Sequence, residues 1–139
     1  MQTTEPQVEW CLLQNQFDSY EKHSLYIKLV SVIVLLAVEI FGVVSIFMFF
    51  ILLVLWIQDA IWKTFQSRIE SRLLAIEKAS SDGSDTKACQ FNSEYRKVRL
   101  TGLSLIFEYA KQAIRPTVAF PHVALILILL VQFFLRISY

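Results

Sequence analysis

The chain has 139 residues, of which 55% are hydrophobic and 18% are charged, and its formal net charge is +1. This length suits one domain, and the apolar fraction exceeds the roughly 45–50% that is usual for a soluble globular protein. The balanced charge gives no reason to expect a nucleic-acid partner. Three glycines are too few for a glycine-rich phosphate-binding loop.

The apolar residues are concentrated in two segments, residues 25–57 and 117–135. The first contains only two charged side chains, Lys28 and Glu39, and the second contains none. Long apolar stretches with few or no charges are typical of membrane spans. The first residues of the chain are polar and acidic, so we expect no cleaved signal peptide and permanent spans in a lipid bilayer.

Residues 1–24 predict a short amphipathic helix ahead of the first apolar segment. Trp10, Leu13, Phe17 and Tyr20 recur at spacings of three and four, which places them on one face of a helix. Such a face can lie on a membrane surface or pack against other helices outside the membrane. We favour packing.

Residues 25–57 leave a choice of topology. As one helix they would extend about 50 Å, whereas the hydrocarbon core of a bilayer is about 30 Å thick. Glu39 would then lie near the bilayer centre, where an acidic side chain is costly. In a hairpin, Glu39 lies at the turn beside Gly42, and glycine tolerates a tight reversal. We therefore predict a transmembrane hairpin, and the alternative is one long helix with Glu39 facing a pore or a partner subunit.

Residues 58–79 continue from the second arm as a stalk helix, with no helix-breaking residue between them. Apolar side chains recur on one face of this helix at spacings of three and four: Ile61, Phe65, Ile69, Leu73 and Ile76. A stripe of this kind is a packing face, either within the chain or between the subunits of a homo-oligomer.

Two tryptophans and an acidic residue lie at the expected membrane boundary. Trp56 and Trp62 suit the aromatic belt that forms at the interface between lipid and water. Asp59 is expected to lie at this interface and to pair with Lys63 one helical turn later. The less favoured alternative is that Asp59 and Glu108 form a proton-handling pair.

Residues 80–94 are dominated by serine, aspartate and other polar residues, which predicts a linker. Residues 95–115 then predict a second amphipathic helix, which starts with the basic patch Arg96, Lys97 and Arg99. This helix can lie at the membrane interface with its basic end on anionic headgroups. It can equally form a cytoplasmic pair with the stalk helix.

A third transmembrane helix is predicted at residues 116–136, where Pro116 and Pro121 end the preceding helix and begin the span. The predicted fold class is therefore an all-α membrane protein with an N-terminal amphipathic helix, a transmembrane hairpin, a cytoplasmic helical pair and a third span. Ten of the thirteen lysines and arginines lie between residues 58 and 116. Because positive loops stay in the cytoplasm, we expect the N-terminus and residues 58–115 to be cytoplasmic.

No set of residues predicts a metal site or an active site. Cys11 and Cys89 belong to no metal-binding pattern, so we expect two free thiols, with a disulfide or a metal as the alternative. His23 and His122 both lie at predicted membrane boundaries. Since no nucleophile, base and acid converge, we expect no enzymatic activity and no cofactor.

A resemblance to known proteins is carried by residues 56–66, WIQDAIWKTFQ, and by the residues that follow: Arg68, Arg72, Ile76 and Glu77. In this pattern, the end of a span is rich in aromatic residues, carries an acidic residue and continues directly into a basic helix. The pattern is similar to one in small bacterial three-transmembrane proteins. The layout also resembles, more distantly, the SLATT group of membrane effectors associated with nucleotide-signalled defence systems. The resemblance implies an assembling membrane component, and it implies no catalytic role for Asp59, Trp62, Gln66 or Arg68.

The function that we expect is that of a non-enzymatic, self-assembling integral membrane protein. Within this class, the resemblance implies a pore-forming or membrane-perturbing effector of bacterial antiphage defence, located in the inner membrane. The alternative is a membrane anchor or accessory subunit that docks a soluble protein through the basic patch. A membrane-embedded enzyme is the third and least favoured hypothesis.

Overall fold

The computed structural model describes residues 5–42, 45–83, 90–98 and 100–138, apart from the side chains of residues 94 and 98. Over these residues the protein consists of five helices: α1 (Glu5–Phe41), α2 (Ile46–Ser81), α3 (Phe91–Val98), α4 (Leu103–Ala113) and α5 (Pro116–Ser138). Three of them, α1, α2 and α5, are long and apolar enough to cross a membrane. The prediction of an all-α protein with membrane-spanning helices is confirmed at this level.

Between α1 and α2 the chain reverses its direction. α1 ends at Phe41, and Gly42 follows with a φ angle of +66°, a left-handed conformation that glycine adopts without steric cost. Ser45 caps α2, because its side-chain hydroxyl accepts a hydrogen bond from the backbone N–H of Phe47. Residues 25–57 are therefore divided between two helices.

Contacts along α1 and α2 show that the two helices run antiparallel. Residue 24 on α1 contacts residue 59 on α2, and residue 9 contacts residue 72. α1 continues through residue 24 without a break, so the predicted amphipathic helix and the first arm of the hairpin form one helix. Neither glycine nor proline occurs between residues 7 and 41, so no residue interrupts α1. Likewise, α2 contains both the second arm and the stalk.

The helix predicted over residues 95–115 is corrected to two helices, α3 and α4. α3 begins at Phe91, inside the predicted linker, and α4 begins after Gly102. Gly102 has a φ angle of +61°, which is incompatible with the interior of a right-handed helix.

The three long helices meet in a small apolar interior. Leu35 and Val38 on α1, Leu52 on α2 and Leu129 on α5 form its buried cluster. In the most apolar 18-residue stretch of each of these three helices, only 17 to 22% of the residues are buried inside the chain. Most of the apolar surface of α1, α2 and α5 therefore faces outward.

Candidate functional site

A polar cluster lies where α1, α2 and α5 meet, and Asp59 on α2 is at its centre. The Asp59 side chain is completely buried, at 0% exposure. One of its carboxylate oxygens accepts a hydrogen bond from the Ser24 hydroxyl on α1. The other oxygen lies 3.3 Å from His122 Nε2 on α5 and 3.6 Å from Lys28 Nζ on α1. We call Ser24, Lys28, Asp59 and His122 the Asp59 cluster.

Neighbouring contacts hold the cluster in place. Lys28 Nζ also donates to the Ser24 hydroxyl at 3.2 Å. The Trp56 indole stacks against the His122 ring, with 6.4 Å between the ring centroids and 14° between the planes. Trp56 Nε1 also donates to the carbonyl oxygen of Ala113 at 3.1 Å. Trp56 thus links the cluster to the end of α4.

The geometry of the cluster differs from that of a catalytic serine site. An activated serine requires a base that accepts its proton and is oriented by a third group. Here Ser24 donates directly to Asp59, and His122 contacts Asp59 rather than Ser24. A buried carboxylate is stable only when it is paired and hydrogen-bonded. The partners of Asp59 lie on α1 and α5, so the contacts of this cluster hold α1, α2 and α5 together.

Neither of the pairs expected for Asp59 forms. Lys63 Nζ instead donates to Gln66 Oε1 at 2.7 Å, and Glu108 pairs with Arg68 at 3.5 Å. The i,i+4 pair with Lys63 is corrected because Asp59 faces α1 and α5, where a buried carboxylate gains partners from two helices at once. A surface pair would contribute only a few tenths of a kcal/mol.

A second buried ion pair joins α1 and α2 outside the apolar segments. Arg72 Nε donates to Glu9 Oε1 at 3.0 Å, and Arg72 Nη2 donates to Glu9 Oε2 at 3.2 Å. The side chains are only 4% and 8% exposed, respectively. This two-point geometry is the strong form of a pair between arginine and a carboxylate. Neither residue is predicted as a member of an ion pair from the sequence.

The apolar stripe near the N-terminus packs on α2. The Tyr20 ring lies 5.2 Å from the Trp62 ring and 6.4 Å from the Phe65 ring, measured between centroids. Trp10 Nε1 donates to Glu77 Oε1 at 3.0 Å. The stripe predicted on the stalk lies partly inside the chain: Ile69, Leu73 and Ile76 are buried, and Ile61 and Phe65 are half-buried.

The opposite ends of the long helices are joined by a smaller set of contacts. Gln132 Nε2 on α5 donates to Glu39 Oε1 on α1. Arg136 donates to the carbonyl oxygen of Gly42. Glu39 and Gly42, predicted at a turn or a pore, thus lie beside the reversal between α1 and α2. Glu39 is exposed there.

The basic patch is only partly described. Arg96 and Lys97 are exposed in the last turn of α3, and Arg99 lies outside the described residues. Cys11 is an exposed free thiol, and Cys89 lies outside the described residues. In the part of the chain that the structure describes, no group of three or more His, Cys, Asp or Glu side chains could hold a metal ion.

Comparison of the chain with protein families, with curated proteins and with solved structures finds no match. The class of the protein is therefore defined by its own fold: an all-helical protein with three helices able to span a membrane.

Proposed function

We propose that the protein is an integral membrane protein that self-assembles and perturbs the bilayer without catalysis. In this proposal α1, α2 and α5 cross a bacterial inner membrane, with the N-terminus and residues 58–115 on the cytoplasmic side. The concentration of lysine and arginine between residues 58 and 116 supports this orientation. The role is that of a pore-forming or membrane-perturbing effector of bacterial defence.

The observation that carries the proposal is the outward apolar face of α4. Its large apolar side chains are 61 to 79% exposed: Leu103, Ile106, Phe107 and Ile114. The opposite face of α4 packs on α2, where Glu108 pairs with Arg68 and Gln112 is buried. The residues that the structure describes therefore leave the apolar face of α4 uncovered.

The position of α4 supports the proposal that lipid covers this face. α4 ends at Ala113, and α5 begins at Pro116, so α4 lies at the end of an apolar span. Lys111 and Arg115, both exposed, can reach the headgroups with their charged ends. An amphipathic helix at this depth occupies space among the headgroups and loosens the packing of the bilayer.

Self-assembly is supported by the small interior of the bundle. Because only 17 to 22% of the residues in the most apolar stretch of each long helix are buried, the outward faces are available to lipid and to neighbouring copies. Protein solubilised in detergent should therefore have the mass of an oligomer. A strict monomer at all protein concentrations would contradict this part of the proposal.

The membrane-perturbing activity is tested by replacing two apolar side chains on α4. Vesicles that contain the wild-type protein should release a trapped dye, and Ile106→Ser/Phe107→Ser should reduce the release to near background. Removing two large apolar side chains from the lipid interface costs roughly 3–6 kcal/mol. The measurement is the rate of dye release at equal protein content.

Leu12→Ser/Leu74→Ser is the matched control, because both leucines are exposed and lie outside α4. This control should release dye like the wild type. Equal loss of release in both double variants, or no release from the wild type together with no depolarisation of cells that express it, would refute the activity.

A second candidate function is that of an adaptor that docks a soluble protein. The exposed side chains of Arg96 and Lys97 and a cavity of about 500 Å³ between α2, α3 and α4 favour it. Co-purification of a stoichiometric partner, lost in Arg96→Glu/Lys97→Glu and retained in Lys78→Glu, would support the adaptor. Purification of the chain alone, with no partner in any preparation, would count against it.

A further inference from the structure

A small cavity opens beside the Asp59 cluster, between α1, α2 and the start of α5. Its volume is about 310 Å³, at the lower end of the roughly 300–1,000 Å³ that small-molecule sites occupy. Six of its lining residues carry polar or charged side chains: Glu21, Lys22, Ser24, Lys28, Lys63 and Thr117. Three are lysines, two are hydroxyl residues, and one is acidic.

The charge around the cavity is in positive excess. Asp59 does not line the cavity, and its carboxylate already contacts Lys28, His122 and Ser24. Among the described residues that line the cavity, Glu21 carries the only carboxylate, against the amines of Lys22 and Lys63. An anion is the ligand that would balance this excess.

The pKa of Lys63 is consistent with this excess of positive charge. Burial lowers the pKa of Lys63 below its ordinary value of 10.5, and the like charges of Lys28 and Arg115 lower it further. Glu21 and Asp59 act in the opposite direction, without restoring the ordinary value. Because an anion bound in the cavity would favour the protonated amine, its binding should raise the pKa of Lys63.

The cavity lies at the level where the apolar segments begin. Lys28 is at the start of residues 25–57, Thr117 is the first residue of 117–135, and Lys63 follows the end of the first segment by six residues. When the apolar segments lie in hydrocarbon, this level is that of the lipid phosphates.

We propose that this cavity binds a phosphate group through Lys63, Lys22 and the hydroxyl of Thr117. The phosphate belongs either to the headgroup of an anionic lipid or to a soluble phosphate. The site goes beyond the proposed function and does not depend on self-assembly or on dye release, so either proposal can fail without the other.

Binding is measured with two probes, phosphatidylglycerol in mixed micelles and inorganic phosphate in the same neutral detergent at constant ionic strength. Lys63→Gln and Thr117→Val should each weaken binding of the phosphate-bearing probe roughly tenfold or more, since each removes a hydrogen bond to a charged group. Lys78→Gln is the control, because it removes an exposed cation from α2 outside the cavity and should leave binding unchanged.

A second measurement uses the wild-type protein and needs no variant to fold. The pH midpoint for acylation of the Lys63 amine, followed by mass spectrometry, should rise when the bound probe is added. If only phosphatidylglycerol raises the midpoint, the site binds lipid. If inorganic phosphate raises the midpoint equally, the site binds a soluble phosphate. No shift with either probe, or equal weakening of binding by Lys63→Gln and Lys78→Gln, would overturn the proposal.

Discussion

Replacement of Asp59 with asparagine should lower the stability of the purified protein by about 3 kcal/mol. The carboxylate is completely buried and is shared by Ser24, Lys28 and His122, and removal of one partner from a buried ion pair typically costs about 3–5 kcal/mol. We expect the lower end of this range because Lys28 is 23% exposed and can regain some water. In thermal unfolding in detergent, the midpoint should fall by roughly 6–12 °C.

Asp18→Asn provides the control for this experiment. Asp18 is an exposed residue on α1 that accepts a hydrogen bond from Gln14, and such surface changes usually stay within about 0.5 kcal/mol. Ser24→Ala should give an intermediate loss of about 1 kcal/mol, the usual net contribution of one hydrogen bond. If Asp59→Asn and Asp18→Asn unfolded at the same temperature, the Asp59 cluster would have no role in joining the helices.

The position of this cluster explains how a short chain holds a third helix against two others. At one end of α5, His122 contacts Asp59 on α2. At the other end, Gln132 donates to Glu39 on α1, and Arg136 donates to the carbonyl oxygen of Gly42. Between these ends, Leu129 packs on Leu35 and Leu52. Polar contacts gain strength where water is excluded, so fixing α5 at both ends requires only a small apolar interior.

Much of this fold could be predicted from local patterns. The apolar segments, the reversal near Gly42 and the stalk stripe each depend on residues that are neighbours in sequence. Composition alone predicts that the apolar segments are helical in lipid, since the backbone N–H and C=O groups have no water there to bind. The same patterns do not predict that α1 continues unbroken through residue 24. An amphipathic segment followed by an apolar segment fits one continuous helix as well as two separate helices.

The Asp59 cluster could not be predicted in the same way, because its members come from three separate segments. One signal was present: Asp59 follows Leu52 by seven residues, so it shares the buried face of α2. A carboxylate on an apolar face requires a partner from another helix. The identity of that partner depends on how α1 and α5 are placed, and no local spacing supplies this information.

For Glu9 and Arg72, we expect that replacing both residues lowers the stability of the protein less than replacing either residue alone. Arg72→Met should destabilise the protein by about 3–5 kcal/mol, because it removes the positive charge and the two hydrogen bonds that Arg72 supplies to the buried Glu9 carboxylate. Glu9→Leu should have a similar effect, because it removes the carboxylate that pairs with the buried Arg72 guanidinium. The double variant should recover most of the lost stability, since apolar side chains of similar volume often replace a buried ion pair without a net loss.

The readout for these variants is the rate of tryptic cleavage at Lys22, in the part of α1 that precedes the apolar segment. Each single variant should be cleaved faster than the wild type, because this part of α1 separates more often from α2. Glu77→Gln is the control, since Glu77 accepts a hydrogen bond from Trp10 in an exposed pair between the same helices and its loss should cost no more than about 1 kcal/mol. Strictly additive losses in the double variant would show that Glu9 and Arg72 act independently, and the pair would then have no part in docking the N-terminal half of α1 on α2.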